Sequence, residues 1–110
     1  MPRRNILIIA AHPLPDSFGT SLAHLYAESA GQAGDQTRLL QLSQIEFDPI
    51  MHAGYKQAQA LEPALLQAQA DIRWAYELVL VFPVWWGGMP ALLKGSIDLM
   101  VGPVGVYPTV

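Results

Sequence analysis

Val79–Gly95, VLVFPVWWGGMPALLKG, is the stretch on which the fold turns. An uninterrupted β-type run stops at Pro83. Two adjacent tryptophans and two glycines follow, and Pro90 stands where a helix can open. A strand buried in a core does not need Trp-Trp-Gly-Gly at its end. A turn that holds a flat aromatic ligand against the backbone does: the glycines let the chain approach closely and the indoles supply apolar area.

Upstream, the chain repeats the same strand, turn and helix order. Asn5 to Ala11 is a continuous apolar run, the mark of a strand covered on both faces. It ends in the turn His-Pro-Leu-Pro-Asp, after which Ser17 can cap a helix from Phe18 to Ala30. Leu22, Leu25, Tyr26 and Ser29 fall on one face of that helix, and Gly31 and Gly34 can end it. Thr37 to Leu42 reads as a second strand and Phe47 to Tyr55 as irregular. Glu62 to Tyr76 reads as a helix with Pro63 in its first turn, Leu78 to Phe82 as a third apolar strand, and Pro90 to Met100 as a further helix. Gly102 to Val110 is a Gly/Pro-rich tail. The alternation predicts an α/β fold with parallel strands and helices on both faces, in which ligands bind beyond the C-terminal strand ends.

With 110 residues, 52% of them hydrophobic and 14% charged, the chain is sized for a single domain, 1–110, with ample apolar material for a core. A net charge of -3 argues against a nucleic-acid-binding surface. No cysteine is present, which removes disulfides, thiol catalysis and cysteine-ligated metals. The two arginines before the first apolar run mimic a signal peptide, but that run is short, β-branched and lacks a cleavage site. The apolar stretch from Leu78 to Leu93 falls short of the ~20 residues that span a bilayer and is broken by Pro83, Gly87, Gly88 and Pro90. A cytoplasmic protein without an integral membrane segment is expected.

Both unusual turns follow an apolar strand. His12 to Ser21, HPLPDSFGTS, offers hydroxyls, an imidazole and the N–H groups of a helix start, which suit an anion. It carries neither GxxxxGK[ST] nor GxGxxG. Read alone, Ser17 can simply cap the helix and His12 simply end the strand. Pro83 to Gly88, PVWWGG, suits a planar ring, although two tryptophans can equally fill a core or an interface. Taken together, one turn suits a phosphate and the other a flat heterocycle. Lys94 is expected to lie along its helix with its ammonium in water. His24 reads as a solvent-facing helix residue, Asp98 as a surface or cation-paired one, and Glu62 as a first-turn residue. No carboxylate pair, metal cluster or nucleophile–base set is evident, so no catalytic residue and no metal ligand is assigned.

The segments NILIIAAHPLPDSFGTSLA, FDPIM, IRWAYELVLVFPVWWGGMPALLKGSID and GVY resemble, in order and spacing, the flavodoxin-like NAD(P)H:quinone oxidoreductase family, which includes potassium-efflux ancillary reductases and drug-activity modulators. The resemblance implies a flavodoxin-like three-layer sandwich. It implies bound FAD, or FMN in some branches, and two-electron reduction of quinones by NAD(P)H, usually in a homodimer. By the same resemblance His12, Ser17, Phe18 and Gly19 would contact the flavin phosphates and adjoining chain. Pro83, Val84, Trp85, Trp86 and Gly87 would frame the isoalloxazine ring, and Tyr107 would line the quinone pocket. The family often has asparagine where Gly19 stands, which removes one side-chain contact but keeps the backbone N–H.

The family runs considerably longer than this chain. The resemblance therefore implies the first three strands of the fold, in order 2-1-3, without the last two strands and the loops they carry. The third strand would then lie at an exposed apolar edge, the kind that recruits partners. Two functions follow: a flavin-dependent NAD(P)H oxidoreductase of the quinone reductase type, or a non-catalytic module that dimerises or docks on a partner such as a cation-efflux system. An electron-transfer flavodoxin is disfavoured, because the first turn lacks the Ser/Thr-rich FMN-phosphate signature of that group.

Overall fold

A computed structural model describes residues 3–50, 52 and 61–101. Its elements are β1 (Asn5–Ala10), α1 (Phe18–Gln32), β2 (Gln36–Gln41), a 3-10 turn (Leu42–Gln44), α2 (Pro63–Trp74), β3 (Glu77–Val81) and α3 (Ala91–Val101). The three strands form one parallel sheet, as the alternation of elements predicted, in the order β2-β1-β3 that the family resemblance implied. Ile8 lies opposite Leu39 on one side and Val79 on the other.

The central strand separates two cores. Ile6, Ile8 and Ala10 face α1, where they are buried with Ala23 and half-buried Ala27, Ala30, Val79 and Val81. Leu7, Ile9 and Ala11 face the opposite side, against Leu42 and Leu93 with Phe47, Ile72 and Phe82. Leu65 and Ala68 of α2 are buried with Leu99 and Met100 of α3 in a third cluster that extends this side. Burial on both faces is why β1 reads as an unbroken apolar run.

Several boundaries differ from the sequence reading. β1 and β3 end one residue early, at Ala10 and Val81, and β2 stops at Gln41 because Leu42 begins the 3-10 turn and drives its side chain into the core. α2 begins at Pro63, with Glu62 as its N-cap residue, and ends at Trp74 rather than at Tyr76. The end of α2 is tied to β2: the Arg38 guanidinium lies 4.0 Å over the Trp74 ring and pairs with Asp71 at 2.9 Å. α3 begins at Ala91 rather than at Pro90.

The helix face of Leu22, Leu25, Tyr26 and Ser29 is turned outward, and all four residues are exposed. The face of α1 that meets the sheet consists of Thr20, Ala23, Ala27 and Ala30. Side chains this small let the helix sit close on the sheet, so the larger apolar residues stand on the far side. β3 is an edge strand. Val79 and Val81 are half-buried under α1, while Leu78 and Leu80 on the other face stay 46% and 40% exposed.

Candidate functional site

β1 and β3 are hydrogen-bonded neighbours that run the same way, so the turns after them start side by side. The ladder continues one residue past β1 in a bond from the Ala11 N–H to the Val81 carbonyl at 2.9 Å. Both turns therefore emerge at the C-terminal edge of the sheet, where this class of fold places its ligands.

The first turn is organised by two side-chain bonds. The Leu14 N–H donates to His12 Nδ1 at 3.0 Å. Because a backbone amide only donates, Nδ1 is the acceptor nitrogen and Nε2 carries the proton. Ser17 is the N-cap of α1: its Oγ accepts from the Thr20 N–H at 3.0 Å and lies 2.8 Å from Thr20 Oγ1. The Ser21 N–H bonds back to the Ser17 carbonyl. The N–H groups of Phe18 and Gly19 have no partner among the described residues, and neither has His12 Nε2. The Phe18 and Gly19 donors stand at the positive end of the α1 dipole. A Cβ at Gly19 would meet Val81 Cγ1 at 3.5 Å, an ordinary contact, so steric crowding does not explain the glycine.

The second turn is a closed hairpin. Trp85 and Gly88 exchange both backbone hydrogen bonds, each at 3.0 Å. Trp86 and Gly87 between them have φ of 55° and 75°. Two successive positive φ values are the signature of a tight primed turn, whose first position usually holds asparagine, aspartate or glycine. A tryptophan there costs about 1–2 kcal/mol of backbone strain, and its indole stands fully exposed. Pro90 is buried behind the turn, and its carbonyl receives the Lys94 N–H.

The turns meet. The Trp85 ring makes an edge contact with the His12 imidazole, with 5.6 Å between centroids and 78° between planes. Beside them lies a cleft of about 430 Å3 lined by His12, Ser17, Phe18, Gly19, Leu22, Val81, Phe82 and Pro83, within the size range of small-molecule sites. Five residues singled out in the sequence thus share one cleft. Val84, Trp85, Trp86 and Gly87 continue the adjoining turn without lining it, and Tyr107 lies outside the described residues. Leu22, Val81 and Phe82 were not anticipated as lining residues. Their signal was available: Phe82 and Val81 immediately precede the turn, and Leu22 stands one helical turn beyond Phe18.

The other titratable side chains lie elsewhere. His24 is exposed on α1 and meets Gln41, Lys94 pairs with Asp98 one turn along α3, and Glu62 accepts from the Asp48 N–H at 2.7 Å. His52 pairs with Asp48 at 2.6 Å. The His52 hydrogen bond, followed by the Ile50 amide, holds the Asp48 carboxyl below its ordinary value of 3.8. Among the described residues no group of three or more such side chains could hold a metal ion.

The sequence model of a family described as flavodoxin-like fold matches residues 4–107. The chain is 33% identical over 109 residues to an uncharacterised NAD(P)H oxidoreductase of Haemophilus influenzae, a match that covers 96% of this chain and 54% of the relative. It is 26% identical to the ribosyldihydronicotinamide dehydrogenase [quinone] of mouse, over 89% of this chain and 51% of that one. Among solved structures, an NAD(P)H:quinone oxidoreductase from Methanothermobacter marburgensis superimposes with a TM-score of 0.72 at 23% identity, covering 88% of this chain and 52% of that one. The chain spans about half the length of the curated relatives it matches.

Proposed function

The chain belongs to the flavodoxin-like fold family, and on that premise we propose that residues 1–110 form a single flavodoxin-like domain serving a flavin-dependent NAD(P)H oxidoreductase of the quinone reductase type. The observation that carries this reading is the shared cleft: two unpartnered amides at a helix start and the His12 imidazole line it beside an apolar wall, and an aromatic turn closes against the histidine. That donor set fits a ligand with phosphate at one end and a flat ring at the other. Phe18 N–H, Gly19 N–H and His12 Nε2–H would hold phosphate oxygens, aided by the helix dipole. Val81, Phe82 and Pro83 would exclude water from the ring, and Trp85 and Trp86 would border it. The bound flavin would supply the hydride chemistry between NAD(P)H and a quinone. FAD is favoured over FMN by resemblance to the family. A homodimer in the cytoplasm fits the same reading, and no helix among the described residues is long and apolar enough to cross a membrane.

One observation favours a second reading, a non-catalytic module that pairs with a second copy. Leu78 and Leu80 are exposed on the edge strand of the sheet. The two readings part on one test. The purified chain is incubated with excess FAD or FMN, desalted, and its absorbance recorded. Retained flavin bands, followed by NAD(P)H-dependent quinone reduction, are expected of the enzyme. A folded, colourless protein sinks the enzyme reading and leaves the module.

A further inference from the structure

We propose that Trp85 is a positioning residue for His12, and that their ring contact couples the phosphate-facing turn to the ring-facing turn. The proposal rests on the cofactor reading above for the identity of the ligand, but its geometry stands in the ligand-free chain.

The imidazole is held from two directions. On one, the Leu14 N–H donates to Nδ1 at 3.0 Å, which fixes the ring flip and assigns the proton to Nε2. On the other, the ring packs against Trp85 at 5.6 Å in an edge-on arrangement, the geometry aromatic pairs prefer. The Trp85 backbone is anchored, because its N–H and its carbonyl are both bonded to Gly88 at 3.0 Å, although the residue stays 45% exposed. An imidazole bonded to Leu14 alone could still turn about its Cα–Cβ bond. The Trp85 indole closes one side of that arc. Nε2–H, with no partner among the described residues, is thereby held ready for an acceptor before any ligand arrives. Trp86, next in the chain, is fully exposed and meets no other ring among the described residues. The two tryptophans therefore have separate tasks: Trp85 reaches back to the first turn, and Trp86 stands free at the tip of the second.

A consequence follows that ring stacking alone does not give. Substituting Trp85 should weaken binding of a ligand that has phosphates and no flavin ring. The probe is inorganic pyrophosphate, titrated calorimetrically into the full chain and into Trp85→Leu, Trp85→Phe and, as a control on the outer face of α1, Leu25→Ala. Trp85→Leu is expected to lose ~2- to 12-fold in affinity, the range an edge-to-face aromatic contact is worth. Trp85→Phe is expected to recover part of that loss, and Leu25→Ala to bind as the unaltered chain does. Equal affinity for pyrophosphate in Trp85→Leu and the unaltered chain overturns the proposal. A second measurement needs no ligand. In the unaltered chain, nuclear Overhauser contacts are expected between the His12 and Trp85 ring protons, with nitrogen shifts that mark Nδ1 as unprotonated. Absence of those contacts overturns the proposal even where Trp85→Leu fails to fold. If pyrophosphate does not bind the unaltered chain, the phosphate role of this cleft is lost, and the ring signals still decide whether Trp85 positions His12.

Discussion

Trp86 combines full exposure with a backbone angle that side-chain-bearing residues avoid. The turn Trp85–Gly88 is geometrically ready for glycine at that place. Trp86→Gly is therefore expected to remove strain and to raise stability by about 0.5–1 kcal/mol, the strain relieved less the extra freedom glycine has when unfolded. If the exposed indole borders a bound ring, the same substitution weakens flavin binding. Urea unfolding and a flavin titration of one variant read both effects, and a variant that loses stability contradicts the assignment of strain. His12, Ser17 and the tryptophan turn were legible in the sequence because strand, turn and cap each leave a local signature. The contact between His12 and Trp85 was not, since nothing local to either turn records which ring the other will meet. Nor did the sequence mark Trp86 as strained: a positive φ at a tryptophan is imposed by closure of the hairpin.

The packing of α3 depends on a glycine whose purpose was hidden in the linear pattern. Gly95 is buried where the segment before residue 50 crosses the helix, and a Cβ there would come within 2.5 Å of both Cβ and the carbonyl oxygen of Pro49. Backbone cannot step aside as a flexible side chain can. Gly95→Ala is expected to cost about 1–3 kcal/mol through overpacking, despite alanine's better helix propensity, read as a lower urea midpoint. A stabilised variant would show that Pro49 does not lie on α3. Beyond Pro49 the Asp48 carboxylate contributes stability above the usual carboxylate range. Because its value is lowered by the His52 and Ile50 bonds, that contribution is lost as pH falls through the lowered value, below its ordinary 3.8. Asp48 is exposed, so the effect is small and local. Its carbon signals should titrate with a midpoint below that of the Asp48 carboxyl in denaturant, and a midpoint at or above it contradicts the His52 bond. Strand and helix order was readable from apolar periodicity, but which face of α1 turns inward was not. Periodicity marks Leu22, Leu25 and Tyr26 as one face, but close approach to the sheet turns Ala23, Ala27 and Ala30 inward instead.

Across the described residues, the sheet offers one sheltered strand and an apolar margin. β1 is buried on both faces, β3 leaves Leu78 and Leu80 exposed, and α1 carries Phe18, Leu22 and Leu25 outward. Apolar surface at a strand edge favours association. Leu78→Lys with Leu80→Lys is expected to shift sedimentation toward the monomer while circular dichroism is kept, and an unchanged sedimentation profile would place self-association elsewhere. The α/β class and the parallel pairing were readable from the alternation of elements, because each parallel pair requires a crossover, whereas the 2-1-3 order came from the family resemblance alone. What joins these elements into a function is the meeting of two turns at one end of the sheet. Amide shift mapping by NMR on addition of FAD, and separately FMN, tests that meeting. Shifts in both His12–Gly19 and Val84–Gly88, saturating together at one ligand per chain, are expected of one cleft shared by both turns. Shifts confined to a single turn, or absent from both in a folded chain, contradict it.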